Sequence, residues 1–169
     1  MKAKLIIENK EIEIEISEEE YKKLQPPEEK KTGYERVPKS SVYFYVSYND
    51  KVDATVEDCY DVDNECYESA NYYSSETVAE NNARADKLMR QLRRFSVEHR
   101  ECGVDFNSTE TAKHYIYYDC MHDELKTVFT FYAKTFGTIL FDSEETAQAA
   151  IDEFRDELIW YFTEYKDSL

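Results

Sequence analysis

Two long stretches with a helical spacing of apolar residues place the strongest constraint on how this chain folds. In residues 75–99, one face is formed by Ala85, Leu88, Met89, Leu92 and Phe95, which predicts an amphipathic helix. Residues 144–165 show the same spacing, with a face formed by Ala147, Ile151, Phe154, Leu158, Tyr161 and Tyr165. Each helix must bury its apolar face against another element, so the chain is expected to form packed layers.

The N-terminal region predicts a separate small element. Residues 4–16 alternate apolar and acidic side chains around Asn9-Lys10, a pattern typical of a β-hairpin. Ser17 and Glu20 have the spacing of a capping box and predict a short helix that ends at Pro26-Pro27. The polar composition of residues 28–41 predicts a linker. The predicted organisation is therefore 1–27, a linker at 28–41 and a domain at 42–169.

The larger region contains a candidate internal repeat. Residues 43–52 and 115–125 both show an aromatic strand, a polar turn and a second strand, 72 residues apart; residues 72–79 and 140–147 both run from an apolar strand end into a capped helix, 68 apart. A tandem repeat of 42–102 and 112–169 follows, although unrelated strand–turn–strand–helix segments also look alike. The predicted fold is α+β: the hairpin and short helix, then two hairpin–helix units with antiparallel sheet covered by two long helices.

Composition excludes several classes of protein. The chain has 37 acidic and 21 basic residues, for a net charge of −16, and its three glycines leave little room for phosphate-binding loops. Its apolar runs are too short for a signal peptide or a membrane span. The four cysteines include no Cys-x-x-Cys pair. We expect a cytoplasmic protein with free thiols, no membrane contact and no cofactor.

Charge is distributed unevenly along the chain. Residues 53–68 hold seven acids and no base, and residues 142–157 hold seven acids and Arg155. Residues 84–100 instead hold six bases and two acids, for a local charge of +4. The pattern predicts two acidic surfaces and one arginine face. A simpler interpretation is that these faces are solvated, or that the basic and acidic helices neutralise each other.

Acidic side chains interleaved with tyrosine can imitate the charge spacing of a nucleic acid, which carries about one negative charge per 1.7 Å of duplex axis. Tyrosine is also a favoured interface residue. The predicted partner-binding patch comprises Asp53, Glu57, Asp58, Tyr60, Asp61, Asp63, Glu65, Tyr67, Glu68, Asp152, Glu153 and Asp156. An alternative is a nucleic-acid interface on the basic helix, formed by Arg84, Lys87, Arg90, Arg93, Arg94 and Arg100.

Motifs for catalysis or metal binding are weak. Residues 61–72 begin like a calcium loop but lack the glycine and the final glutamate. A zinc set of two histidines and two cysteines has uncommon spacing; its members are His99, Cys102, Cys120 and His122. Glu124-x-Lys126, with Asp105 or Asp119 upstream, matches part of a metal-dependent nuclease signature, but a match of three common residue types is weak and is more typical of the solvent side of a strand. We therefore predict no catalytic residues and no metal site.

Three segments resemble small acidic accessory proteins of phages, prophages and mobile elements of Firmicutes: KLIIENKEIEIEISEE at 4–19, NYYSSETVAE at 71–80 and GTILFDSEETA at 137–147. Such proteins often counter host defences, and anti-CRISPR proteins are the leading example. The resemblance implies an inhibitor that binds a basic, nucleic-acid-binding surface of a host nuclease such as a CRISPR effector, with nucleic acid involved only indirectly. The arginine helix departs from this pattern, because a pure nucleic-acid mimic does not need it.

Overall fold

The computed structural model describes residues 2–7, 10–15, 17, 19, 31–101 and 103–167. The chain divides into two compact units between residues 31 and 32. The first contains an antiparallel hairpin of β1 (Lys2–Ile7) and β2 (Lys10–Glu15), in which Leu5 lies opposite Ile12. The alternating pattern therefore predicted this hairpin correctly. The predicted short helix lies outside the described residues, apart from the isolated positions 17 and 19.

The second unit begins with a hairpin followed by two helices. These elements are β3 (Val42–Val46), β4 (Val52–Val56), α1 (Asp61–Glu68) and α2 (Glu76–Glu98). A tight turn joins the two strands, with the Ser47 amide donating to the Lys51 carbonyl at 2.8 Å and Asp50 at a φ of 61°. Sequence analysis predicted α2 and the hairpin but not α1.

A second hairpin and a long helix complete this unit. They are β5 (Lys113–Asp119), β6 (Glu124–Thr130) and α3 (Glu144–Thr163). In β5–β6, Ile116 lies opposite Thr127. No described helix separates β6 from α3, so this half has no counterpart of α1.

The two halves share one pattern of connection between hairpin and helix. In each, the first strand forms an isolated antiparallel bridge to the segment before the long helix, Phe44 to Tyr73 and His114 to Phe141. Two residues later a serine caps the helix: Ser75 accepts from the Val78 amide at 3.5 Å, and Ser143 accepts from the Thr146 amide at 3.1 Å. Both the bridge and the cap recur at the predicted spacing of 68 residues. The strands align at a spacing of 70 rather than 72, a shift that keeps each side chain on the same face.

The α+β class is confirmed, but the hairpins do not join into one sheet. Each described hairpin is its own two-stranded antiparallel sheet. Helix α2 packs on β3–β4 and on α3, and α3 packs on β5–β6. The two long helices thus each cover a separate small sheet, and the helix pair joins the halves.

The main hydrophobic core lies between the two long helices. Leu88, Leu92 and Phe95 of α2 pack with Ile151 and Leu158 of α3, and all are nearly inaccessible to solvent. Residues from β5–β6 and the segment before α3 complete this cluster: Ile116, Leu125, Ile139 and Phe141. A smaller cluster lies under the first hairpin, where Tyr73, Val78 and Ala79 meet Phe44 and Val46. The apolar face of α2 is therefore covered mostly by elements that follow it in the chain.

Residues 32–41, expected to lie in the linker 28–41, are built into the second unit. Gly33 has a φ of 96° and lies so close to Val78 that an added Cβ would be 2.6 Å from its Cγ2. Ser40 donates to the Glu57 carbonyl, and the Glu57 amide donates to Ser41. We call residues 32–41 the strap, because backbone and side-chain contacts fasten them to β4 and to the start of α2.

Candidate functional site

Helix α1 presents a row of acidic side chains. Its register places Asp61, Glu65 and Glu68 at positions i, i+4 and i+7, on one exposed face. Tyr60 and Tyr67 are 67% and 44% exposed at its two ends. We define the α1 acidic surface as Asp58, Tyr60, Asp61, Glu65, Tyr67 and Glu68. Within the described part of the chain, none of its four carboxylates has an ion pair.

Glu57 was predicted to belong to this surface, but it is 1% exposed and serves the interior. Its carboxylate accepts from Arg36 Nε at 2.9 Å and Nη2 at 3.0 Å, from Tyr72 Oη at 2.9 Å and from the Cys59 amide at 2.9 Å. The Arg36 hydrogen bond is the largest of the effects that lower the pKa of Glu57 to about 2. Glu57 therefore stays ionised and joins the strap to the start of α1.

Asp63 also leaves the predicted patch, because it is 2% exposed. Its side chain accepts from Tyr43 Oη at 2.9 Å and from the amides of Asp58 and Tyr60 at 3.1 and 3.0 Å. Burial acts to raise its pKa, but these donors together hold the pKa below the ordinary value. Asp63 thus satisfies amide groups at the start of α1 that the helix itself leaves unpaired.

Two buried tyrosines connect these carboxylates. The rings of Tyr43 and Tyr72 stack at a centroid distance of 4.0 Å. Burial is the main reason that the pKa of Tyr72 is raised to about 12 and that the pKa of Tyr43 is also raised. Both phenols therefore remain protonated, and Tyr43 donates to Asp63 while Tyr72 donates to Glu57. The hydrogen bond from Tyr43 to Asp63 thereby connects α1 to β3.

The remaining predicted acidic residues lie elsewhere. Asp53 is exposed on β4, opposite Tyr45. Asp152, Glu153 and Asp156 of α3 are exposed and line a groove of about 650 Å³ together with basic residues of both long helices, namely Arg84, Lys87 and Arg155. The α3 carboxylates thus share a groove with basic residues. The carboxylates of the α1 acidic surface form no ion pair within the described part of the chain.

The arginine face is partly neutralised within the protein. Arg84 donates to Glu157 at 2.7 and 3.1 Å and lies over the Trp160 ring, with 3.9 Å to its centroid. This hydrogen bond also lowers the pKa of Glu157. Arg90 pairs with Asp50. The predicted neutralisation between basic and acidic helices is therefore present at Arg84.

The other basic residues are less engaged. Arg94 Nε lies 3.9 Å from Glu98, and Arg100 lies over Phe106 at 5.1 Å. Lys87 and Arg93 are exposed and have no ion pair within residues 31–101 and 103–167. Among the described residues, the predicted nucleic-acid interface thus retains charge without an ion pair at Lys87, Arg93 and Arg100.

The nuclease-like residues gather at the turn of β5–β6. Lys126 Nζ lies 2.7 Å from Asp119 and 2.5 Å from Glu124, and His122 Nδ1 lies 2.8 Å from Asp119. The hydrogen bond from Lys126 is the largest cause of the lowered pKa of Asp119, and the reciprocal bond raises the pKa of Lys126. The ammonium group lies between the two carboxylates and neutralises one of their two charges, an arrangement typical of the solvent side of a strand. Asp105 is not part of this cluster; it accepts from the Asn107 amide in the preceding loop.

The other motif matches are not assembled either. Residues 61–68 are helical rather than a loop, which excludes the calcium-loop geometry. Among the described residues, potential metal ligands converge only at Asp119, His122 and Glu124, so His99 and Cys120 are not brought together with His122. Cys102 lies outside the described residues.

Sequence analysis missed the residues that hold α1 in place. Arg36 lay in the predicted linker, Tyr43 was assigned to an aromatic strand, and Tyr72 was assigned to a strand end and to the tyrosines interleaved with the acidic surface. The partners of Arg36, Tyr43 and Tyr72 are 21, 20 and 15 residues away along the chain, respectively. No local pattern distinguishes such a buried carboxylate from an exposed one.

Comparisons with protein-family models, with curated proteins and with solved structures found no match. None of the helices in the described residues combines the length and apolar character that a membrane span needs.

Proposed function

We propose that this protein is a non-enzymatic inhibitor encoded by a phage or mobile element, acting in the cytoplasm. Its α1 acidic surface would occupy the basic, nucleic-acid-binding surface of a host defence nuclease such as a CRISPR effector. The observation that supports this most directly is the set of four carboxylates on and beside α1 that no base of the described chain neutralises.

The charge spacing fits a nucleic-acid competitor. Asp61 and Glu68 are seven residues apart, which is about 10.5 Å along a helix axis. Three carboxylates lie over this length, while one strand of duplex DNA carries about four phosphates over the same distance, at about 3.4 Å each. A cationic groove shaped for one nucleic-acid strand would therefore meet a similar density of negative charge.

The surface is also prepared for binding before a partner arrives. The buried side chains of Glu57 and Asp63 fix the start of α1, so little ordering is left to occur on association. Tyr60 and Tyr67 add large amphipathic side chains with few rotatable bonds. Opposite charges would steer the encounter and make the association rate sensitive to salt.

The alternative, nucleic-acid binding by the whole arginine helix, receives less support. Arg84 and Arg90 have carboxylate partners within the protein, which removes two of the six predicted contacts. The proposed inhibitor blocks a groove and catalyses no reaction, so the cluster at Asp119 has no part in its function.

The test uses purified host effectors loaded on a fluorescent DNA duplex, with displacement followed by anisotropy. The wild-type protein should displace the DNA. Reversing Asp61, Glu65 and Glu68 together to Lys should raise the required concentration more than tenfold, because an attractive field becomes repulsive. The matched control reverses Asp152, Glu153 and Asp156, the same change of charge on α3, and should shift it much less. Equal effects of the two triple variants, in proteins with wild-type circular dichroism, would refute the assignment to α1.

A further inference from the structure

A groove of about 520 Å³ lies where the end of α2 meets the segment before α3. Its walls include Arg93 and Val97 of α2, Phe106, and residues 137–140. We propose that this groove and the adjacent Phe136 bind single-stranded nucleic acid. The residues involved are not those of the α1 acidic surface, so the inference does not depend on the proposed function.

The charge of the groove suits a phosphate backbone. Arg93 is the one charged residue among those lining it in the described chain, and it has no ion pair there. Arg100 stands at its border with its guanidinium 5.1 Å from the Phe106 ring centre. Arg94 has a carboxylate partner of its own, because Glu98 lies 3.9 Å away. Two arginines are thus available to phosphates.

The second component is an aromatic ring with no packing role. Phe136 is fully exposed, and none of the ring contacts among described residues involves it. It adjoins Gly137, which lines the groove, and also borders a neighbouring apolar groove of about 310 Å³. Stacking of bases on aromatic side chains stabilises the binding of single strands and tolerates any sequence, because every base has a π face. A ring held open to solvent beside an arginine-lined groove has the parts of a stacking platform.

Single strands fit this surface better than duplexes or acidic peptides. Duplex binding depends on many phosphate contacts because the base faces are hidden, and the chain's net charge of −16 opposes it. The α3 carboxylate that pairs with Arg84, Glu157, is about 13.5 Å away along α2 from Arg93, beyond the screening length of about 8 Å in physiological salt. An acidic peptide could pair with Arg93 but would gain no base stacking from Phe136.

The experiment measures anisotropy of a fluorescein-labelled oligothymidylate of about 15 nucleotides, near the upper site size of single-strand binders. Phe136→Ala and Arg93→Glu should each weaken binding at least about fivefold, the lower limit of one lost stacking contact. Two phosphate contacts predict that log K falls with log salt at a slope of about −1.4. A duplex of the same length should bind at least tenfold more weakly.

Two controls keep the test specific. Lys87→Glu makes the same charge change two turns earlier on α2, and Phe129→Ala removes another exposed ring, 57% accessible; both should change binding less than twofold. The Asp61, Glu65 and Glu68 reversal should leave oligothymidylate binding at or above wild type, so the two hypotheses fail separately. Absence of binding, equal loss with Lys87→Glu, equal affinity for the duplex, or tighter binding of a poly-glutamate peptide would each overturn the proposal.

Discussion

Replacing Arg36 with Gln tests whether the strap is part of the folded unit. The substitution removes two charge-assisted hydrogen bonds from Glu57, whose side chain is 1% exposed. Breaking a fully buried ion pair by deleting one partner costs about 3–5 kcal/mol. The Arg36 side chain is 35% exposed, and Tyr72 and the Cys59 amide still serve the carboxylate. We therefore expect a smaller loss of about 2–3 kcal/mol, closer to that of hydrogen bonds to a charged group.

Urea unfolding followed by the fluorescence of Trp160, the single tryptophan and 8% exposed, measures this loss. The corresponding fall in Tm is about 4–12 °C, at about 2–4 °C per kcal/mol for a unit of this size. Arg94→Gln is the control: that side chain is 71% exposed, its pair with Glu98 is long, and its loss should cost at most about 0.5 kcal/mol. If Arg36→Gln costs no more than the control, the strap does not stabilise the unit as described.

Three further perturbations follow from the same structure. Because the folded-state pKa of Glu57 is about 2 against an ordinary 4.5, its ionised contacts stabilise the protein above about pH 4.5; this stabilisation should disappear as the pH falls toward 2, and Glu57→Gln should flatten the acid limb of a urea-midpoint profile. Removing either helix cap, Ser75→Ala or Ser143→Ala, should cost about 1 kcal/mol in urea unfolding, with the larger loss at Ser143 because its hydrogen bond is shorter, 3.1 against 3.5 Å; a reversed order would contradict the cap geometry. Gly33→Ala should lower Tm more than Gly137→Ala, since both residues have positive φ but only Gly33 lacks room for a Cβ.

The long helices and the hairpins could be predicted from the sequence because their signals are local and extended. The apolar stripe of α2 runs from Ala85 to Phe95, about three turns, and the structure places this helix at Glu76–Glu98, within a residue of the predicted 75–99. Each serine cap also depends only on neighbouring residues, so the two capped segments could be recognised 68 residues apart. The separation of the hairpins into individual two-stranded sheets is a tertiary outcome that periodicity does not encode.

The candidate site was predicted less well for a specific reason. The density of acidic residues led sequence analysis to assign residues 53–68 to one surface. In the structure, the acids that accept hydrogen bonds from residues distant in the chain are buried, and the others remain accessible. Glu57 is served by Arg36 and Tyr72, and Asp63 by Tyr43. Their exposed neighbours Asp61 and Glu65 are of the same residue types. The register of α1, which sequence analysis did not predict, separates Asp63 from Asp61 and Glu65, whereas Glu57 lies between β4 and the helix.

The covering of α2 by later elements has a consequence during synthesis. When residue 101 leaves the ribosome, the partners of Leu88, Leu92 and Phe95 have not yet been made, since they extend to Leu158. At about 5–20 residues per second, that interval lasts about 3–11 seconds. During this interval the nascent chain exposes the apolar face of α2, which the first hairpin covers only in part. We expect chaperones to bind this face until α3 emerges.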